Sequence, residues 1–352
     1  MSVDVLIIGQ GICGTFLSWY LQKENKSYLV IDNNYSNASS RIAAGIINPV
    51  TGRRLVTVWM ADEVIPNAWE AYNELGIELD ITAIFQRNII DFFPNPFMRE
   101  GFLDKINTGD RYVHAYPEQN HFNQLMNYDF GCGEIRPVYT VNLESVLPAW
   151  RKHLVEKKLL LEENFELAAL QVFPDHVQYN GITAQKIIFC DGVSSFDNPY
   201  FKALPFAPNK GEALVAEIPG LPDHNIYKKS MMMVPMAEKD MFWIGASYIW
   251  DFEDAGPTPE FREKTTQVLK EWLKIPFTIK EHRSGLRPAT LERRPFVGFH
   301  PLHPAIGILN GMGTKGYSLA PYFASQLVNH LCFGEKIIPE ADVNRFRKIL
   351  MR

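Results

Sequence analysis

The chain has only four cysteines in 352 residues, Cys13, Cys132, Cys190 and Cys332, with no C-x-x-C pair among them. Scattered in this way they make neither a zinc site nor a disulfide framework, so they read as reduced, structural thiols in a cytoplasmic protein that binds no metal. Runs of Lys and Arg are missing too. With 35 basic and 40 acidic residues the net charge is -5, which argues against a nucleic-acid partner. No apolar stretch is long enough to span a bilayer. The first apolar run lacks a basic flank and stops at Gly9, which makes it a strand rather than a secretory signal. Internal repeats and low-complexity linkers are also absent, which excludes solenoids and tethered modules. What is left, 46% hydrophobic and 21% charged residues, is the make-up of a globular protein with an ample core, in two domains or in one with insertions.

The strongest local signal comes first. Across residues 4–32 an apolar run (Val5, Leu6, Ile7, Ile8) leads into Gly9, Gly11 and Gly14 at G-x-G-x-x-G spacing; a helical pattern follows, and a second apolar run ends at Asp32. Strand, tight turn, helix and strand in that order are what a dinucleotide requires. The glycines let the backbone approach a pyrophosphate, the helix start supplies N–H groups and partial positive charge, and the terminal acid accepts from a ribose. Which dinucleotide is bound stays open at this point. The run SSRIAAGIINPVTGRR over residues 39–54 is small at its centre (Ala43, Ala44, Gly45) and reads as a loop.

Two textures alternate after that. Helical spacing from 59 to 75 is followed, over 80–139, by short apolar runs broken by Pro94, Pro96 and several glycines, which predicts strands and loops. The α/β texture returns at 142, where Asn142 is placed to cap a helix reaching about 158; a hairpin with an Asn180-Gly181 turn then leads to a strand ending before Asp191 and Gly192. A second strand-rich stretch fills 204–280, with a helix over 259–273. The expected fold class is therefore α/β: a Rossmann-type nucleotide domain (1–80, 140–203 and 281–352) with an interleaved antiparallel-sheet substrate domain (81–139 and 204–280).

Near the end, SGLRPATLERRPFVG (284–298) and NGMGTKGYSLAP (310–321) stand out. The second places Gly311, Gly313 and Gly316 before a helical pattern, a second anion-binding helix start in the same chain. One dinucleotide needs one pyrophosphate site, so the other positive end suits a reduced flavin; Lys315 either adds to its field, lies near the reacting centre as a catalytic candidate, or is a solvated lysine on a loop. In order along the chain, GQGICG, AAGI, KGE (210–212), GAS (245–247), GLRPATLERRPFVG and GMGTKGYSLAP make the sequence resemble the D-amino acid oxidase-like superfamily. These are FAD-dependent oxidoreductases that include glycine oxidase, sarcosine oxidase and some 2-hydroxy acid dehydrogenases. The resemblance covers essentially the whole chain.

That resemblance implies noncovalent FAD, since residues 284–298 hold no cysteine for a covalent link. It assigns Gly9, Gly11, Ile12, Cys13 and Gly14 to the pyrophosphate and Asp32 with Asn33 to the adenosine ribose. Ser40, Arg41, Ala44, Gly45 and Ile46 would run past the pyrophosphate and the isoalloxazine, while Leu167, Asp191 and Gly192 fall beside the adenine end. Gly311, Gly313, Thr314, Lys315, Gly316, Tyr317 and Ser318 would face the flavin pyrimidine. Arg287 matches the arginine that clamps a substrate carboxylate, a role its rigid, always-charged fork suits. Family members often add a tyrosine from the strand that here reads Met231, Met232, Met233; Tyr248 is the candidate replacement. The expected activity is oxidation of a small amino acid or secondary amine, with oxygen or another electron acceptor. A 2-hydroxy acid dehydrogenase, a tRNA-modification-type amine oxidase, disfavoured by the acidic net charge, and a flavin-binding subunit without turnover remain alternatives.

Overall fold

The structure is a computed structural model describing residues 1–352. The chain divides into two compact units, the first made of Met1–Arg41, Glu144–Asn209 and Leu286–Arg352, the second of Ile42–Leu143 and Lys210–Gly285. Residues 42–80, expected by their sequence texture in the nucleotide domain, group instead with the other unit. Strand pairing supplies the reason, since Ile46–Ile47 pairs with Tyr139–Val141, which also pairs with Ile84–Gln86. Helix Ala61–Leu79 packs against the last of these.

In the first unit the Ser2–Ile8 strand lies parallel between Tyr28–Ile31 and Ile182–Phe189. Leu160–Leu161 adds to one side in parallel, and Ile306–Asn310 pairs in parallel with Ile182–Phe189 on the other. Antiparallel strands then extend the sheet: Phe296–Phe299 on Ile306–Asn310, and the hairpin 170–179 on the start of Ile182–Phe189. Parallel strands covered on both faces read as continuous apolar runs, and Val5 to Ile8 and Tyr28 to Ile31 are all buried. Helices Ile12–Lys23 and Gly316–Phe333 pack on each other. The helix expected from 142 spans Leu143–Glu156, and the Asn142 side-chain amide just before it donates to Thr82 O at 3.2 Å.

The second unit is built on an eight-stranded sheet running, in order, Thr278–Arg287, Asn209–Glu217, Met241–Gly245, Met232–Pro235, Ile226–Lys228, Ile89–Phe92, Cys132–Ile135 and Val113–Ala115. From Asn209–Glu217 to Val113–Ala115 the pairing is antiparallel except where Ile226–Lys228 meets Ile89–Phe92 in parallel. One face carries Ile90, Phe92, Leu214, Tyr227, Met233, Phe242 and Ile244, which pack with Leu269 and Trp272 of helix Pro259–Trp272. Met233 is therefore core, as is Met231 in part. The strands-and-loops expectation for 80–139 missed helix Pro96–Asn107, whose Asn95 side chain accepts from Met98 N at 2.9 Å. Here Pro96 starts a helix instead of breaking one. No helix is long and apolar enough to cross a membrane.

Candidate functional site

The turn after the first strand is shaped by contacts that leave no room for side chains. Gly9 has φ +100°, and a Cβ there would lie 2.6 Å from Cys190 O; at Gly14 it would lie 1.9 Å from Gly9 O. Only glycine closes this turn. Helix Ile12–Lys23 then begins with Gly11 at its N-cap, no side-chain cap and no acid in its first turn. The short helix Ser39–Ile42 reaches this point: Ser40 Oγ accepts from Ile12 N at 3.1 Å. Cys13 is buried in the same turn, and desolvation pushes its thiol up to about 12, so it is not a nucleophile.

Asp32, at the end of the second strand, has both oxygens engaged. Oδ2 accepts from Gln10 N at 2.8 Å, and Oδ1 accepts from Asn34 N at 2.8 Å and from Arg151 Nη1 at 2.6 Å. Arg151 also donates Nε to Glu162 Oε1 at 3.0 Å. Arg41 lies in the same field; burial lowers its pKa while Asp32 opposes that shift and Arg151 adds to it. Asn33 is exposed and bonds to Asn164 Oδ1 at 2.7 Å. Leu167 opens a short 3-10 turn and is 36% exposed.

The second glycine-rich stretch is brought to the first. Helix Gly316–Phe333 starts on Lys315, also without a side-chain cap or a first-turn acid, and a Cβ on Gly316 would stand 3.6 Å from Ile12 Cγ2. Tyr317, buried, donates its hydroxyl to Ser40 O at 3.2 Å. Two helix starts thus converge on residues 11–12, 40 and 316–317, their first-turn N–H groups and dipoles favouring anions. Thr314 is exposed, Ser318 Oγ donates to Lys315 O at 3.1 Å, and Lys315 is half-buried with its pKa pushed down to about 8 by desolvation.

Three groups that the sequence reading did not single out complete this arrangement. Arg151 is the first, a helix residue that reaches Asp32 across the fold. Asn310 is the second: buried, it donates to Gly192 O at 2.7 Å and Ser195 Oγ at 2.9 Å, and its Oδ1 accepts from Gly311 N at 2.7 Å. It so fastens the 191–195 turn to the 311–316 loop. Asp191 joins the same cluster, accepting from Ser195 Oγ, and desolvation raises its carboxyl to about 6. The third is Asn209, whose Oδ1 accepts from Arg287 Nη1 at 2.6 Å. Its one sequence signal is that it directly precedes K-G-E.

Within the second unit, Gly45 lies against the Tyr139–Val141 strand; Val141 N donates to Gly45 O at 2.9 Å, and a Cβ on Gly45 would stand 2.6 Å from Val141 O. Ala44 and Ile46 are its half-buried neighbours. Tyr248 is 61% exposed. Glu212 is fully buried: it accepts from Thr258 N at 2.6 Å and Thr258 Oγ at 2.9 Å, meets His282 Nε2 at 3.0 Å, and has Lys210 Nζ at 3.8 Å. The K-G-E run is thus part of a buried polar framework.

The features of the first unit fit a bound dinucleotide: a turn too tight for a Cβ, a capless helix start above it, and a second helix start for a further anionic group. A family model described as FAD dependent oxidoreductase matches residues 4–330. Among solved structures, the chain is similar to glycine oxidase from Bacillus cereus ATCC 14579, with a TM-score of 0.78 at 15% identity over 95% of this chain and 96% of that one. Iminodiacetate oxidase from Chelativorans sp. BNC1 gives a TM-score of 0.75 at 19% identity, covering 96% of this chain and 97% of that one. L-proline dehydrogenase from P. horikoshii gives 0.77 at 15% identity, covering 99% and 98%.

Proposed function

The chain belongs to the DAO family of FAD dependent oxidoreductases, and on that basis we propose that it oxidises a small amino acid or carboxylate-bearing secondary amine. The observation that carries the proposal is Arg287, half-buried and held by a neutral amide in the unit that also brings the two helix starts together. A guanidinium held in this way offers a planar fork to a carboxylate, which fixes the substrate by two parallel bonds. The similar enzymes glycine oxidase, iminodiacetate oxidase and L-proline dehydrogenase are named for compounds of this kind.

When bound, FAD supplies the two-electron acceptor for hydride removal from the substrate's Cα or N-alkyl carbon. The protein's share is binding and position. In this reading Gly9, Gly11, Ile12, Cys13 and Gly14 hold the pyrophosphate with Ser40 and Arg41 beside it, and Asp32 and Asn33 serve the ribose. Leu167, Asp191 and Gly192 serve the adenine end, and Gly311, Gly313 to Ser318 the flavin pyrimidine. Lys315, still mostly protonated at neutral pH with a pKa of about 8, adds positive charge at the start of its helix. No protein base is required, because a neutral substrate amine needs only correct placement to react. The roles of Ala44, Gly45, Ile46 and Tyr248 rest on the resemblance alone. The FAD is proposed to be noncovalent.

An anaerobic screen of amino acids, N-methyl amino acids and 2-hydroxy acids tests this reading by loss of flavin colour. Bleaching by an amino acid or secondary amine is the expected result; bleaching by hydroxy acids alone would move the assignment to a hydroxy acid dehydrogenase. Arg287→Met should keep its FAD yet lose about 100-fold or more in reduction by the same carboxylate substrate, from the loss of a charge-assisted pair. Unchanged reduction kinetics would remove Arg287 from the site.

A further inference from the structure

The bond between Asn209 and Arg287 joins two segments that the backbone already holds side by side. Ala207 N donates to Ala289 O at 2.8 Å, and Phe206 bridges Thr290. On the far side of Arg287, Gly313 N donates to Pro288 O at 3.2 Å, which ties the same segment to the glycine-rich loop. Asn209 is 2% exposed. Its amide oxygen meets Arg287 Nη1 at 2.6 Å, so one end of the guanidinium is held by a buried amide whose oxygen would lose a bond if the arginine turned away.

The choice of side chain at 209 matters for the charge as well as the position. An aspartate of the same shape would direct Arg287 but cancel its charge. Leucine would keep the charge and drop the constraint on a long, flexible side chain. Asparagine alone of the three keeps both. We infer that Asn209 is a positioning residue that sets the orientation of the Arg287 fork while leaving it cationic, and so selects substrates bearing a planar monocarboxylate next to the reacting carbon. This rests on the proposed role of Arg287 and deepens it.

The test is a spectral titration of the FAD-loaded protein with acetate, glycolate and propionate, followed by anaerobic reduction with a substrate from the screen. Asn209→Leu should weaken carboxylate binding about tenfold and raise the substrate concentration for half-maximal reduction by a similar factor, as for loss of one charge-assisted hydrogen bond. The limiting reduction rate should change less than that. Asn209→Asp should weaken binding further than Asn209→Leu, although it is isosteric and keeps the bond to Arg287. A merely structural role predicts the reverse order, with the aspartate variant close to wild type, and that order would overturn the inference. If Asn209→Leu fails to fold, Asn209→Asp alone decides between the two. The control is Arg287→Met. If it binds carboxylates as wild type does, or if no carboxylate perturbs the wild-type spectrum, the role of Arg287 itself is wrong. If it loses them while both Asn209 variants bind normally, only the role of Asn209 falls.

Discussion

At residue scale the sharpest constraint is Gly14, where a methyl group would sit 1.9 Å from a backbone oxygen. Gly14→Ala must push the helix start away from the turn, so it should lose FAD on gel filtration and melt several degrees lower, as read by flavin absorbance and thermal unfolding. Asp191 gives a prediction in pH. Its carboxyl is raised from 3.8 to about 6 by desolvation, so the unfolded chain ionises first as pH rises. Stability from this residue is full below the unfolded value and is lost between there and about 6. Asp191→Asn keeps an acceptor for Ser195 and removes that loss. Its melting temperature should match wild type near pH 4 and exceed it near pH 7, and a gap independent of pH would show that Asp191 does not titrate in this window. Gly14 could be read from the sequence because its reason is local, five residues back. Asn209 and Asn310 could not, since their partners lie 78 and 115 residues away and an asparagine beside a glycine looks like any turn.

At the scale of elements, the same distinction explains the helix Pro96–Asn107. Its cap and its proline at the first turn are start signals, yet among nearby glycines and prolines they have the look of breakers. The parallel pairing of Ile226–Lys228 with Ile89–Phe92 was illegible because nothing local states which strand becomes a neighbour. Elements are also held by buried polar bonds. Glu212 ties strand Asn209–Glu217 to the Thr258 cap of helix Pro259–Trp272 and, through His282, to strand Thr278–Arg287. Removing one member of such a buried set costs about 3–5 kcal/mol. Glu212→Leu should lower the melting temperature by about 10 °C, and Glu212→Gln by less, since the amide oxygen still accepts from Thr258. Asn310→Leu is expected to weaken FAD binding by at least about tenfold, measured by fluorescence titration, because it unfastens the 311–316 loop from the 191–195 turn.

At the scale of the whole molecule, the chain passes between its two units four times, so neither unit is one uninterrupted stretch. A fragment ending at residue 209 lacks both the Ile306–Asn310 strand, which pairs with Ile182–Phe189, and helix Gly316–Phe333. It should show weak circular dichroism and retain no FAD. The full chain should gain about 2.7 kcal/mol of stability from FAD at a hundred times its dissociation constant, visible as a rise in melting temperature. The meeting of Ile12 with Gly316 has a further consequence, for synthesis in the cell. The first helix start leaves the ribosome some three hundred residues before the second, which at about 5–20 residues per second is a delay of roughly 15–60 s. During that interval the nascent chain carries a nucleotide turn with half its walls. The proposed FAD site is therefore closed only after the second helix start has been made, so the order of synthesis places cofactor loading late, after the first turn has waited for its opposite wall.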